Sequence, residues 1–237
     1  MSATLQVAVA GFAVWNPAQR ARPQPSLLPP NERRRAPDTV AVALQVAQAA
    51  CANAGRDPAQ LRMVFASTYG DLAITDYMCS TLARAPTTLS PTRFHNSVHN
   101  AAAGYWSIAT GCHEPYCALG AGQYTFANGL LVAALQACAD QTDMLFVAYD
   151  IDAHGEQMRI VNSQAMFGVA LVLTRDGSGR SLELTTVAEP SADPIVAGSA
   201  NAMAACLPLV AALAGSRAEL LRLSLGPQST LRVQINP

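Results

Sequence analysis

Apolar positions along this chain fall into short continuous runs, separated by longer stretches with helical spacing. Residues 5–10 form a valine-rich run stopped at Gly11, which predicts a buried strand. Residues 16–37 are rich in proline and lack any period, so they predict a loop. Asp38 is a good N-cap for a helix reaching Asn53 and stopped at Gly55. Residues 61–67 predict a second buried strand, and residues 71–85 a helix that ends before Pro86. Pro91 can open a helix that carries Phe94, Val98 and Tyr105 as far as Gly111. Residues 116–119 predict a very short strand, Gly120 and Gly122 a tight turn, and the residues after them a helix to about Asp140. Residues 144–149 predict another strand. The runs 166–174 and 181–187 flank residues 176–179, which is a hairpin signal. Residues 195–214 read as a helix apolar nearly all round, and 220–225 and 230–235 as closing strands.

Alternating strands and helices followed by a hairpin argue for one three-layer α/β domain with a mixed sheet. No internal repeat or low-complexity segment interrupts it, and the proline-rich loop is too short to link two domains. The chain has 237 residues, of which 51% are hydrophobic and only 6% aromatic, so Ala, Val and Leu must fill most of the core. A net charge of -1 gives no reason to expect a nucleic-acid or anionic-membrane partner. No run reaches the ~18 apolar residues of a membrane span. All 15 basic residues are Arg, which excludes lysine Schiff-base chemistry and a P-loop lysine. The run Arg33, Arg34, Arg35 stands alone and reads as a solvated loop or docking spot. Six scattered Cys and an N-terminus without a basic leader predict a cytoplasmic protein with reduced thiols, most of them small core residues.

Candidate chemistry is sparse. His95 and His99 are four apart and would share a helix face, but Asn96 stands where a zinc protease needs Glu and no third ligand is evident, so no metal is expected. Cys112 and Cys117 bracket a proline turn with His113 beside the first, which leaves a Cys117 or Cys112 thiol enzyme as an alternative. Asp150 and Asp152 follow a strand, as in acidic pairs that hold a metal-nucleotide or in an ordinary strand-end turn. The run Gly120, Ala121, Gly122, Gln123 is the informative one. A strand ends, two glycines turn the chain, and a polar residue lands at the start of a long apolar helix, the geometry of a nucleophile elbow or of plain strand–helix punctuation. The residue so presented is Gln123, whose amide hydrogen-bonds but neither attacks a thioester nor transfers protons near neutral pH.

Residues 91–100, with Phe94, His95, Val98 and His99, followed by Gly104, Tyr105, Trp106 and Ile108, resemble the helix before the active site of β-ketoacyl-acyl-carrier-protein synthases. Glu114 and Pro115, a strand, the run Gly120 to Gln123 and the helix carrying Leu130 are similar to that family's elbow, where a Thr-Ala-Cys type sequence stands. Residues 7–11 resemble its first strand, and Arg33, Arg34 and Arg35 its early arginine segment. The match covers roughly residues 5–175. It implies an αβα thiolase-like half fold with a mixed five-stranded sheet, in a single domain over 1–237. Residues 180–237 would be a divergent C-terminal helix and strand extension.

Two departures bear on function. Gln123 falls where the family has its acyl-accepting Cys, and residues beyond 180 supply neither the His nor the Lys of a full-length synthase's second half. The resemblance therefore implies no catalytic residue and no cofactor. It is similar to the chain length factors of type II polyketide and aryl polyene systems. These pair with a catalytic β-ketoacyl-ACP synthase, shape its acyl tunnel and meet the acyl carrier protein only indirectly. Tunnel or interface candidates by this analogy are Phe94, Val98, His99, Tyr105, Trp106, Gln123, Tyr124 and Phe126. Gln at the elbow also resembles loading synthases that only decarboxylate malonyl groups, an alternative reading. The 195–214 helix either covers the sheet or lies in the interface.

Overall fold

The computed structural model describes residues 4–16, 21–161, 163–190 and 201–236. In chain order its elements are β1 (Thr4–Trp15), α1 (Pro30–Arg35), α2 (Asp38–Ala54), β2 (Arg62–Ala66), α3 (Leu72–Arg84), α4 (Pro91–His95) and α5 (Ala101–Thr110). These are followed by β3 (Tyr116–Leu119), α6 (Thr125–Asp140), β4 (Met144–Asp150), β5 (Phe167–Thr174), β6 (Arg180–Val187), α7 (Leu207–Ala214), β7 (Glu219–Gly226) and β8 (Ser229–Ile235). All the strands join one sheet in the order β3-β2-β4-β5-β1-β6-β8-β7. Strands β3, β2 and β4 run parallel, and every other neighbouring pair is antiparallel.

The central strands β4 and β5 are buried at every position. A strand covered on both faces needs apolar side chains in both directions, which is why its sequence is a continuous run and not an alternation. One face is covered by α2 and α5, with Trp106, Phe65, Leu44 and Val147 in that half of the core. The other is covered by α6 and the α7 region, with Phe126, Phe146, Leu130 and Leu209 in the second half. Three layers, αβα, result. Fully burying a side chain such as Phe126 or Phe146 contributes about 1.5–3 kcal/mol. Helix α2 ends at Gly55, whose left-handed backbone (φ 63°) lets its N–H cap the carbonyls of Ala52 and Cys51.

The sheet has eight strands where five were expected, because the C-terminal segment extends it beyond β1. The expected hairpin at residues 176–179 is not one. Strand β5 pairs with β1 on one edge and β6 with β1 on the other, so the connection crosses over β1 instead of folding back. Gly179 permits that crossing: a Cβ there would lie 1.9 Å from the Val9 carbonyl oxygen. Strand β1 is also longer than its apolar run suggests. It passes through Gly11 with a register irregularity and ends at Trp15. Being 12 residues long, it has room for a partner on each side.

The single helix expected from Pro91 to Gly111 is two helices. Asn96 caps α4 with its N–H on the Thr92 carbonyl, and the Ser97 hydroxyl donates to the Phe94 carbonyl at 2.7 Å. Short polar side chains of this kind compete with the helical ladder and end it. Of the expected 195–214 helix, residues 195–200 lie outside the described residues. Asn201 caps a 3-10 turn at Ala202–Cys206 that leads into α7, and this segment packs on the sheet and α6.

Candidate functional site

Parallel pairing brings the C-terminal ends of β3, β2 and β4 side by side, at Leu119, Ala66 and Asp150. Open α/β sheets expose their functional groups at this end, because loops rather than strands continue from it. After Leu119 the chain turns sharply through residues 120–124 and enters α6 at Thr125. Gly122 takes φ 56° in this turn. The buried Thr125 hydroxyl locks it, accepting from the Ala121 N–H at 2.9 Å and donating to the Gly122 carbonyl at 2.6 Å. Tyr124 N–H closes the turn on the Ala121 carbonyl at 3.2 Å. Gln123 is the exposed residue this turn presents, two positions before the first helical residue.

The turn sits where it does because Gly120 has no side chain. A Cβ there would lie 2.8 Å from the Ser67 carbonyl oxygen and 3.6 Å from His99 Cε1. Ser67 is the hub of the surrounding bonds. Its N–H donates to the Leu119 carbonyl at 3.1 Å, and its hydroxyl both accepts from the Gly70 N–H at 3.0 Å and donates to Asp150 Oδ1 at 2.8 Å. The same Asp150 oxygen accepts from the Thr68 N–H at 2.8 Å. His99 Nε2 meets the Leu119 carbonyl at 3.0 Å, so that carbonyl joins the turn before α5 to the end of β3. Asp150 is wholly buried, and burial pushes its carboxyl above the usual carboxylate range against the pull of the Thr68 and Ser67 donors. Its second oxygen has no partner among the described residues.

No sulfur takes the Gln123 position. Cys117 is half-buried inside β3. Cys112 is buried and its Sγ donates to the Leu61 carbonyl at 3.4 Å. Burial pushes the Cys51 thiol up to about 12 and raises that of Cys206, so both remain protonated thiols. His95 ends α4 while His99 lies beyond it, so the two do not share a helix face. Among the described residues no three of His, Cys, Asp or Glu come together as a metal set.

The structure separates the predicted site residues. Trp106 and Phe126 are buried in the two halves of the core, so neither is available to a surface. Phe94 and Val98 are exposed, 58% and 51%, and His99 and Gln123 are exposed as well. Tyr105 and Tyr124 are half-buried. Val98 and Tyr105 line a groove of about 480 Å³ together with Leu28, Arg35, His95 and Ile108. Ile108, 85% exposed, is the residue the sequence reading passed over. Helix α5 buries Ala102, Ala103 and Trp106 and turns Ala101, Tyr105 and Ile108 the other way. A helix apolar on both faces was the available signal.

Among the described residues, strand β3 is an edge of the sheet. Met63 N–H bonds the Pro115 carbonyl and Ser67 N–H that of Leu119, so by the alternation of the ladder Tyr116 and Ala118 turn their backbone groups outward. Tyr116 is 43% exposed there, and its hydroxyl accepts from Asn100 Nδ2 at 2.8 Å. No helix among the described residues is long and apolar enough to cross a membrane.

Three solved structures share this fold over nearly the whole of both chains. The ketosynthase ApeO in complex with its chain length factor ApeC, from Xenorhabdus doucetiae, matches with TM-score 0.76 and 20% identity, over 97% of this chain and 99% of that one. The ishigamide ketosynthase/chain length factor matches with TM-score 0.73 and 13% identity, over 98% and 99%. The type II polyketide synthase complex AntDE:AntF, an acyl-carrier protein with its ketosynthase, matches with TM-score 0.73 and 10% identity, over 99% of each chain. At these identities the likeness is one of fold. No curated protein matches the sequence. The family model for the β-ketoacyl synthase N-terminal domain matches residues 10–224, and the chain belongs to that family.

Proposed function

We propose that this chain is a non-catalytic chain length factor that pairs with a catalytic β-ketoacyl-ACP synthase in the cytoplasm and shapes its acyl tunnel during polyketide, polyene or fatty-acid-like elongation. The observation that carries this reading is Gln123 at the exposed tip of the turn before α6. Condensation needs a thiolate there to hold one acyl chain, and an amide offers only hydrogen bonds. The partner therefore supplies the nucleophile, and the carrier protein delivers its acyl group to that partner.

The docking surface on this chain is the β3 edge with the apolar side chains beside it. An unpaired strand edge takes up another strand readily. Tyr116, Phe94, Val98 and Ile108 add exposed apolar area that favours association. The likeness to the ApeO–ApeC and ishigamide ketosynthase/chain length factor structures supports the choice of partner.

Co-expression with a catalytic β-ketoacyl-ACP synthase that retains its cysteine tests the reading. The expected result is a stable complex in which a labelled acyl group is found on the partner's cysteine and not on this chain. Gln123→Ala leaves the complex intact and changes product length or yield. An acyl adduct trapped on this polypeptide would overturn the reading. Carbon dioxide release from malonyl-carrier protein by the isolated chain, abolished in Gln123→Ala, would replace it with a decarboxylase.

A further inference from the structure

The C-terminal extension reaches back to the elbow. Strands β6, β8 and β7 continue the sheet past β1 and bend over α6, whose side chains share one core cluster with Leu221, Leu223 and Leu231. At the far end of β7 the Leu225 carbonyl accepts from Asn128 Nδ2 at 3.1 Å. The same amide nitrogen donates to the Tyr124 carbonyl at 3.0 Å, next to Gln123. Asn128 lies in the first turn of α6 and is half-buried. It is thus bonded at once to the turn that presents Gln123 and to the strand that runs into the exposed Pro227 and Gln228. The two carbonyls are 101 positions apart in sequence (225 − 124), and this one side chain bridges them, while the Asn128 backbone N–H also donates to the Tyr124 carbonyl at 3.1 Å.

From this geometry we infer that Asn128 is a positioning residue, through which the β7–β8 hairpin sets where the elbow stands and so which acyl length the complex accepts. The inference rests on the chain length factor reading for its effect on products, and on bonding alone for its effect on the elbow. Both Asn128 amide hydrogens point at carbonyl oxygens. An aspartate of the same shape would place a carboxylate against those two oxygens, and an alanine would leave both without this donor. The direct bond between the end of β7 and the elbow would then be lost, leaving the two joined only through the apolar core that α6 shares with β7.

Hydrogen exchange on the free chain and product analysis on the complex test this together. In Asn128→Ala and Asn128→Asp, exchange at residues 121–128 and 223–226 accelerates at least tenfold, while that of α2 and β4 stays at the wild-type rate. In complex with the ketosynthase, both variants move the principal product by one or more two-carbon units. Asn128→Ala serves if Asn128→Asp does not fold. Unchanged exchange in Asn128→Ala overturns the positioning role. An unchanged product profile from an intact complex overturns the link to acyl length. If the wild-type chain does not bind the ketosynthase at all, the chain length factor reading fails, and the exchange arm still decides whether Asn128 holds the elbow.

Discussion

The Ser67 hydroxyl donates to the Asp150 carboxylate at 2.8 Å, and this bond ties the end of β4 to the loop that presses on Gly120. Removing the carboxylate in Asp150→Ala strands two buried donors, the Ser67 hydroxyl and the Thr68 N–H. Each buried donor left without a partner costs about 1–3 kcal/mol, so chemical denaturation should show a loss of about 2–6 kcal/mol. Asp150→Asn, which keeps an acceptor for both, should lose about 1 kcal/mol or less.

The same pair gives a pH dependence with a definite sign. Burial raises the folded-state pKa of Asp150 above its unfolded value. Between those two values the folded chain binds more protons than the unfolded one, so stability falls as pH rises through the window. Asp150→Asn removes that slope. Wild-type stability should therefore decline relative to the variant from about pH 4 upward. Parallel denaturation curves for the two proteins across that range would contradict the assignment.

Asp176 carries the opposite sign. Hydrogen bonds from Ser178, with smaller help from Thr174 and Arg56, lower its carboxyl to about 2. It is fully ionised above the ordinary carboxylate range, and its contribution disappears as pH falls through the folded value. Asp176→Asn should narrow the acid-induced drop in Tm below about pH 4 and leave Tm less affected by added acid than in wild type.

Two glycines separate close approach from open space. Gly120→Ala forces a methyl group against the Ser67 carbonyl and should destabilise by about 1–3 kcal/mol. Gly104 sits inside α5 with nothing within 4 Å of its Cβ position. Gly104→Ala should stabilise by about 0.5–1 kcal/mol in urea denaturation, since alanine favours a helix interior.

Helix α5 offers the sharpest contrast between core and surface. Trp106→Ala opens a cavity and should cost about 3–5 kcal/mol. Ile108→Asp, on the exposed face, should change stability by no more than about 0.5 kcal/mol. It should weaken binding of the ketosynthase at least tenfold in a titration, and undiminished binding would remove α5 from the interface.

These particulars mark what the sequence could disclose. The sharp turn was legible because glycines at 120 and 122 stand between an apolar run and an apolar helix, a pattern shared by a nucleophile elbow and by plain strand–helix punctuation. The layers were legible because β4 and β5 carry continuous apolar runs. The path of β6 was not, since a turn signal at residues 176–179 says that the chain changes direction but not that β1 lies between the two strands. Trp106 and Ile108 could not be sorted, because α5 is apolar on both faces and only tertiary packing chooses one. The long-range bonds of Asn128 and Ser67 were not legible, since the Leu225 carbonyl and the Asp150 carboxylate are 97 and 83 positions away.

The long first strand has a consequence for how the molecule is made. Residues 4–9 of β1 pair with residues 180–185, and residues 8–15 with residues 168–174. On the ribosome, β1 has both its edges bare until residues 168–185 have been translated. Pairings this remote in sequence slow folding and leave intermediates prone to aggregation. The nascent chain is therefore a natural client for chaperones, and truncation before residue 168 should yield insoluble material even though α2 and β2 are complete.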